Sequence, residues 1–96
     1  MTEIFVKLMN KGIKYSEHNK FPYNITEGAT IKDLIAELHE DYGETFDVYL
    51  ENKEERSLRR DTIIFVNGMN SVSTGGLKTK VSKGDLIVFM IAAVGG

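Results

Sequence analysis

The chain has 96 residues, of which 42% are hydrophobic and 27% charged, and this size and balance predict one globular domain. It contains no cysteine, which excludes disulfides, thiolate nucleophiles and the usual structural zinc sites. The net charge of −2 disfavours a nucleic-acid partner, and no apolar run approaches the roughly 20 residues that span a bilayer. The first residues also lack the pattern of a signal peptide, so we expect a cytoplasmic protein without a membrane partner.

The first quarter of the chain predicts two strands. Residues 2–9 alternate apolar side chains with a period of two, which is typical of a strand, and Asn10-Lys11-Gly12 supplies a turn. A second strand is predicted around Phe21 to Thr26, where Pro22 favours the edge of a sheet because proline cannot donate a backbone hydrogen bond.

One helix is predicted between two clear termini. Thr30 is a good N-cap, Asp33 completes an imperfect capping box, and Gly43 stands where a glycine commonly ends a helix. Between them, one apolar face recurs every three or four positions at Ile31, Leu34, Ile35, Leu38 and Tyr42. Such a helix packs this face against a sheet.

The segment Glu51–Asp61 carries interleaved charges. Its arginines, Arg56, Arg59 and Arg60, could bind an anion, but mixed charge beside a turn favours a solvated loop between strands. Residues 1–61 hold nine basic and thirteen acidic side chains, net −4, whereas residues 62–96 hold three lysines and one aspartate, net +2. An acidic partner would therefore fit the C-terminal third of the chain.

The C-terminal third predicts two apolar strands. Residues 62–66 form the first, closed by the tight turn Asn67-Gly68, and further breaks fall at Gly75-Gly76 and at residues 82–85. Residues 86–91 form the last strand.

The last strand is apolar on both of its faces. Either Ile87, Phe89 and Ile91 or Leu86, Val88 and Met90 lie inward, and the other set is a candidate partner surface unless a loop covers it. We expect Val88, Met90 and Ile91 to contribute to this partner interface.

Residues for self-contained catalysis are few. His18 and His39 are the only histidines, and their spacing fits no zinc site. Neither a nucleophile turn of the Gly-x-Ser-x-Gly type nor a phosphate-binding loop occurs. The sequence therefore predicts a protein that is not an enzyme and binds neither a metal nor a cofactor of its own.

The sequence ends Val94-Gly95-Gly96. A terminal Gly-Gly lacks β-carbons and can enter a narrow channel in another protein, where it presents the α-carboxylate of Gly96. A carboxylate becomes reactive as an acyl-adenylate, which an activating partner can form with ATP and Mg²⁺. A sulfur nucleophile can then displace the adenylate and leave a thiocarboxylate.

The predicted order β-β-α-β-β with its terminal Gly-Gly resembles the MoaD/ThiS family of ubiquitin-like sulfur carriers. Three segments carry the resemblance: Phe65-Val66-Asn67-Gly68, Gly75-Gly76-Leu77 through Val81, and Lys83-Gly84-Asp85 through Phe89. The Gly-Gly-Leu segment is most similar to the CysO-like carriers of cysteine biosynthesis. The resemblance implies an α+β β-grasp fold, with a mixed four- or five-stranded sheet packed on one main helix. It further implies a single domain over residues 1–96 whose flexible Gly-Gly arm begins at about residue 92.

The resemblance also implies how the chain acts. Gly96 would be adenylated by a ubiquitin-activating-type enzyme and then thiocarboxylated, while Gly95 and Val94 would form the arm that enters the channel. A sulfur-accepting synthase of molybdopterin or tungstopterin, thiamin or cysteine biosynthesis would be the second partner. In a molybdopterin synthase-type complex, this chain would be the small subunit.

Two other functions remain open at this point. A ubiquitin-like modifier would use the same terminus but form isopeptide bonds with lysines, and a non-catalytic β-grasp interaction module would tolerate loss of the tail. MoaD-like tails carry Pro-Pro-Val before the final residues, whereas this chain has Ala92-Ala93-Val94, so the recipient of the sulfur also stays open.

Overall fold

A computed structural model describes residues 1–9 and 20–92 of the chain. The strands and helices in chain order are β1 (Thr2–Met9), β2 (Phe21–Ile25), α1 (Ile31–Tyr42), α2 (Glu44–Asp47), β3 (Leu50–Asn52), β4 (Ser57–Leu58), β5 (Thr62–Val66), β6 (Met69–Asn70) and β7 (Leu86–Ile91). Two short 3-10 helices, Ser71–Thr74 and Gly76–Lys78, lie between β6 and β7. The bounds predicted for the first and last strands are confirmed, while the turn predicted at Asn10-Lys11-Gly12 lies outside the described residues.

The main sheet has five strands in the order β2-β1-β7-β5-β6. The first and last strands of the chain lie side by side and run parallel, and every other neighbouring pair is antiparallel. β2 lies at the edge of the sheet, as Pro22 predicted. This mixed sheet with one main helix confirms the β-grasp expectation.

The predicted termini of α1 are confirmed. The Thr30 hydroxyl accepts a hydrogen bond from the Asp33 backbone N–H at 3.3 Å, and the Asp33 carboxylate accepts one from the Thr30 backbone N–H at 2.9 Å. At the other end, Gly43 has a φ of 54° and donates its N–H to the carbonyl of His39. A positive φ is costly for residues with a β-carbon, which explains the glycine.

The core lies between α1 and one face of the sheet. Its fully buried side chains include Ile4 and Val6 of β1, Phe89 of β7, and the helix residues Ile31, Leu34 and Leu38. Beside them, Phe46 and Tyr49 pack against Phe89 with ring centroids 5.2 and 5.7 Å away. Tyr42, which was predicted for the buried face, is 40% exposed and packs its ring edge-on against Phe21.

The charged segment predicted as a loop contains a small hairpin. Leu50 of β3 pairs with Leu58 of β4, and their register shifts before Asn52 pairs with Ser57. Leu50 is buried, and this anchors the hairpin to the core although the residues between the two strands are exposed.

The predicted turn at Asn67-Gly68 is confirmed, and the Asn67 side chain also forms hydrogen bonds at the start of β7. Both residues have positive φ, at 51° and 85°, which fits a two-residue hairpin turn. The Asn67 side chain accepts a hydrogen bond from the Leu86 N–H and donates one to Asp85, both at 2.9 Å. The turn therefore holds the start of β7 in place.

Candidate functional site

The end of β7, with Ala92 after it, is the last part of the chain that the structure describes. β7 lies between β1 and β5, in the middle of the sheet, and Ile91 is paired with Thr62. The next residue, Ala92, donates its N–H to the carbonyl oxygen of Asp61 at 2.8 Å. The last described residue therefore lies beside the start of β5. The predicted site residues Val94, Gly95 and Gly96 lie outside the described residues.

The face of the sheet turned away from α1 is apolar, and we call it the outer sheet face. Because side chains alternate along a strand, the outward residues of β7 are Leu86, Val88 and Met90, and those of the two neighbouring strands follow from the pairing. The outer sheet face consists of Phe5, Lys7, Met9, Ile63, Phe65, Leu86, Val88 and Met90.

Val88 and Met90 lie at the centre of the outer sheet face. Val88 is paired with Lys7 and with Phe65, and Met90 with Met9 and with Ile63. Both side chains are half-buried. Exposed apolar area of this kind is characteristic of a protein contact surface. The structure thus resolves which set of β7 side chains faces outward.

The third residue predicted for this interface, Ile91, lies elsewhere. It alternates to the helix side of the sheet, where it is half-buried and packs against the core. The prediction grouped Ile91 with Val88 and Met90, whereas the two-residue period of the strand places Ile91 on the opposite side. Ile91 is therefore not part of the outer sheet face.

Two lysines contribute to the outer sheet face. Lys7 stands in its middle, and the ammonium group of Lys20 lies 5.0 Å from the ring centroid of Phe5, in cation–π geometry. A partner surface that is apolar and bears carboxylates would complement this arrangement.

The contributions of β1 and β5 to this face were not predicted. The alternation in β1 already held the information, since burial of Ile4, Val6 and Leu8 directs Phe5 and Met9 to the opposite side. For β5, the run of consecutive apolar residues did not distinguish the buried side of the strand from the outward side. Only its pairing with β7 shows that Ile63 and Phe65 point outward.

One partly buried polar pair connects the two helices. His39 pairs its Nδ1 with an Asp47 carboxylate oxygen at 2.6 Å, where it links α1 to α2. In residues 1–9 and 20–92, no cluster of three or more His, Asp or Glu side chains could hold a metal ion. Within the same ranges, no helix is long and apolar enough to cross a membrane.

Fold and site together define a ubiquitin-like β-grasp protein with an apolar outer sheet face. A family model described as the ThiS family matches residues 15–96, and the chain belongs to this family. No curated protein sequence matches the chain significantly.

Solved structures resemble the chain over nearly its whole length. Small archaeal modifier protein 1 from Methanosarcina acetivorans is 26% identical, with a TM-score of 0.77, and the match covers 100% of this chain and 98% of that one. CysO from Mycobacterium tuberculosis is 20% identical with a TM-score of 0.68, covering 94% and 99%. A putative molybdopterin converting factor subunit 1 from Pyrococcus furiosus is 21% identical with a TM-score of 0.68, covering 97% and 100%. The last two likenesses concern the fold, and the family as a whole supports a role as a sulfur carrier or a protein modifier.

Proposed function

We propose that this chain is a sulfur carrier whose C-terminal Gly96 is adenylated by a ubiquitin-activating-type enzyme and converted to a thiocarboxylate. The observation that carries the proposal is the family match, which extends through the terminal Gly95-Gly96. The hydrogen bond from Ala92 to Asp61 supports it, because it fixes the point on the sheet from which the last four residues continue.

The chemistry needs only the terminal carboxylate of this chain. A carboxylate oxygen of Gly96 attacks the α-phosphorus of ATP, and pyrophosphate leaves with the charge stabilisation that Mg²⁺ supplies. A hydrosulfide-type nucleophile then attacks the acyl carbon. The C–S bond forms, the C–O bond to AMP breaks, and a proton is released, so that no change of oxidation state is required. Glycine at positions 95 and 96 gives the arm clearance, since a β-branched side chain would crowd a narrow channel.

The outer sheet face is the proposed docking surface for the activating enzyme. Val88 and Met90 keep solvent contact at its centre, and Lys7 lies beside Val88. Burying apolar side chains of this size supplies affinity, while the cation selects a partner with a nearby carboxylate. The arm and the docking surface share β7, so docking would deliver Gly96 from a fixed position.

The chain would act as a protein substrate, in the cytoplasm, with ATP and Mg²⁺ bound by its partner. The acceptor of the sulfur would be a synthase of pterin, thiamin or cysteine biosynthesis. In a molybdopterin synthase-type complex this chain would form the small subunit.

A second function has one specific observation in its favour. The structure with a TM-score of 0.77 and 26% identity is a small archaeal modifier protein. A modifier uses the same adenylate but transfers the acyl group to a lysine amine, which forms an isopeptide bond instead of a thiocarboxylate.

The proposal is tested by ATP–pyrophosphate exchange with the adenylating enzyme of the same organism. We expect exchange with the full chain and none with a chain that lacks Gly96. The control is Glu27→Ala, which alters an exposed side chain far from the arm in sequence and should leave exchange unchanged. Equal exchange by the full and the shortened chains would show that Gly96 is not the activated residue.

A further inference from the structure

A second surface lies on the side of β5 opposite to β7. β6 pairs with only Phe65 and Val66, so the first half of β5 borders a cleft of about 330 Å³. Side chains from β4, β5 and the 3-10 helices line this β5-edge cleft, among them Leu58, Arg60, Thr62, Ile63, Val72 and Leu77.

The β5-edge cleft presents exposed apolar side chains. Val72 is 82% exposed and Leu77 is 40% exposed, although both are aliphatic. Ile63 belongs to both surfaces, because it lines the cleft and also pairs with Met90 on the outer sheet face. The cleft is therefore continuous with the outer sheet face and extends it around the edge of β5.

Among the described residues that line the cleft, Arg60 alone is charged. Two neighbouring arginines have carboxylate partners: Arg59 binds Asp61 through two hydrogen bonds of 3.0 Å, and Arg56 approaches Glu40 at 3.5 Å. In the described part of the chain, no carboxylate lies within ion-pair distance of Arg60. The cleft thus has apolar walls and the guanidinium of Arg60. Such a site is complementary to a partner segment in which an apolar side chain lies next to a carboxylate.

The cleft also lies beside the origin of the arm. Ala92 is bonded to Asp61, and both chain neighbours of Asp61, Arg60 and Thr62, line the cleft. Gly96 is four residues beyond Ala92, and four extended residues reach at most ~14 Å. An enzyme that holds Gly96 in its active site must therefore come close to the cleft.

We propose that the β5-edge cleft is a second docking site for the adenylating enzyme, and that it receives a segment in which an apolar side chain is adjacent to an aspartate or glutamate. This inference rests on the proposed function. The apolar side chain contacts Leu58, Val72 and Leu77, and the carboxylate forms an ion pair with Arg60. Together with the outer sheet face, the cleft holds the enzyme on both sides of β5.

The test is calorimetric titration of the full chain with the adenylating enzyme in the absence of ATP. Arg60→Glu removes the ion pair with the partner's carboxylate, and Val72→Asp disrupts the contact with its apolar side chain. Each variant should raise Kd by at least about tenfold. The matched controls are Arg56→Glu, which makes the same charge reversal in the same segment, and Met69→Asp, which changes an apolar side chain that is 57% exposed and does not line the cleft. All four positions are exposed, and thermal melting verifies that each variant is folded.

Unchanged Kd for Arg60→Glu and Val72→Asp would overturn the inference, as would equal losses in the two control variants. If the wild-type chain neither bound the enzyme nor supported exchange, the proposed function would fail separately. In that case, a two-dimensional NMR titration with the peptide acetyl-Asp-Leu-Glu-amide tests the cleft directly. Shifts of the Thr62, Val72 and Leu77 amides that acetyl-Lys-Leu-Lys-amide does not reproduce would support the cleft as an acidic-peptide site, and their absence would refute it.

Discussion

The backbone N–H of Ala92 donates a hydrogen bond to the carbonyl oxygen of Asp61 at 2.8 Å. This bond extends the pairing of β7 with β5 by one residue beyond Ile91 and Thr62. Ala92 therefore continues the hydrogen bonding between β7 and β5 beyond the last residue of the strand. The account of the function depends on this junction, because it determines where an activating enzyme meets the chain.

Removing this bond should loosen the end of β7. Ala92→Pro eliminates the N–H donor, while the preceding Ile91 keeps the extended conformation that proline favours in its neighbour. We expect the free energy of unfolding to fall by about 1 kcal/mol, the net contribution of one backbone hydrogen bond. Urea denaturation measures the change, and Ala92→Ser, which retains the N–H, is the control. Identical midpoints for the two variants would mean that the bond adds no stability.

A carboxylate should affect folding very differently on the two faces of β7. Val88→Asp places the charge on the half-exposed outer sheet face beside Lys7, so we expect a loss of stability of only about 1 kcal/mol. Affinity for the adenylating enzyme should fall at least about tenfold. Ile87→Asp instead buries an unpaired charge in the core and should prevent folding.

Circular dichroism reports the folding of both variants, and calorimetric titration reports the binding of Val88→Asp. Binding of Val88→Asp at the wild-type affinity would remove the outer sheet face from the docking surface.

The capping box of α1 should contribute measurable stability. Thr30→Ala removes the hydroxyl that accepts the Asp33 N–H, and substitutions of this kind cost about 1 kcal/mol. Thr30→Ser keeps the hydroxyl and should stay within a few tenths of a kcal/mol of the wild type. Chemical denaturation compares the three proteins, and a Ser variant as unstable as the Ala variant would argue against the cap.

These local features were also the ones that could be predicted from the sequence. Thr30, Asp33 and Gly43 bound α1 through backbone groups within a few residues, and Asn67-Gly68 forms its turn through its own φ angles. Such signals depend on neighbours in the chain, which a sequence displays directly. The period of two in residues 2–9 likewise identified β1.

Features that depend on distant residues could not be predicted in the same way. Both sets of side chains in β7 are apolar, so only its position between β1 and β5 decides that Val88 faces outward and Ile91 inward. The β3–β4 hairpin is charged and short and has no clear alternation. The β5-edge cleft joins Arg60 to Val72 and Leu77, and these residues meet only after folding.

Tyr49 gives the domain a specific weakness at high pH. Its hydroxyl is buried with no hydrogen-bond partner in the described part of the chain, and this burial raises the pKa of the phenol above its ordinary value. Above a pH of about 10, the unfolded chain releases the phenol proton while the folded chain retains it. The unfolded state then binds fewer protons, so stability falls as the pH rises.

Tyr49→Phe should therefore reduce this loss. Near neutral pH we expect the variant to match the wild type or to exceed it by about 1 kcal/mol, because an unpaired buried hydroxyl is removed. Between about pH 10 and 11, its stability should fall less steeply, by up to about 1.4 kcal/mol per pH unit, the share of one proton. Urea denaturation across this range measures both slopes, and parallel slopes would contradict the assignment to Tyr49.

The proposed thiocarboxylate at Gly96 can be detected by mass spectrometry. The protein is isolated from its native host, and its C-terminal tryptic peptide is analysed. The peptide is first treated with an alkylating reagent, because replacement of oxygen by sulfur adds nearly the same mass as oxidation of Met90 in the same peptide. A thiocarboxylate is alkylated and a methionine sulfoxide is not. The account predicts a population of the peptide alkylated at Gly96, whereas a terminus found only unmodified or joined to lysine would contradict it.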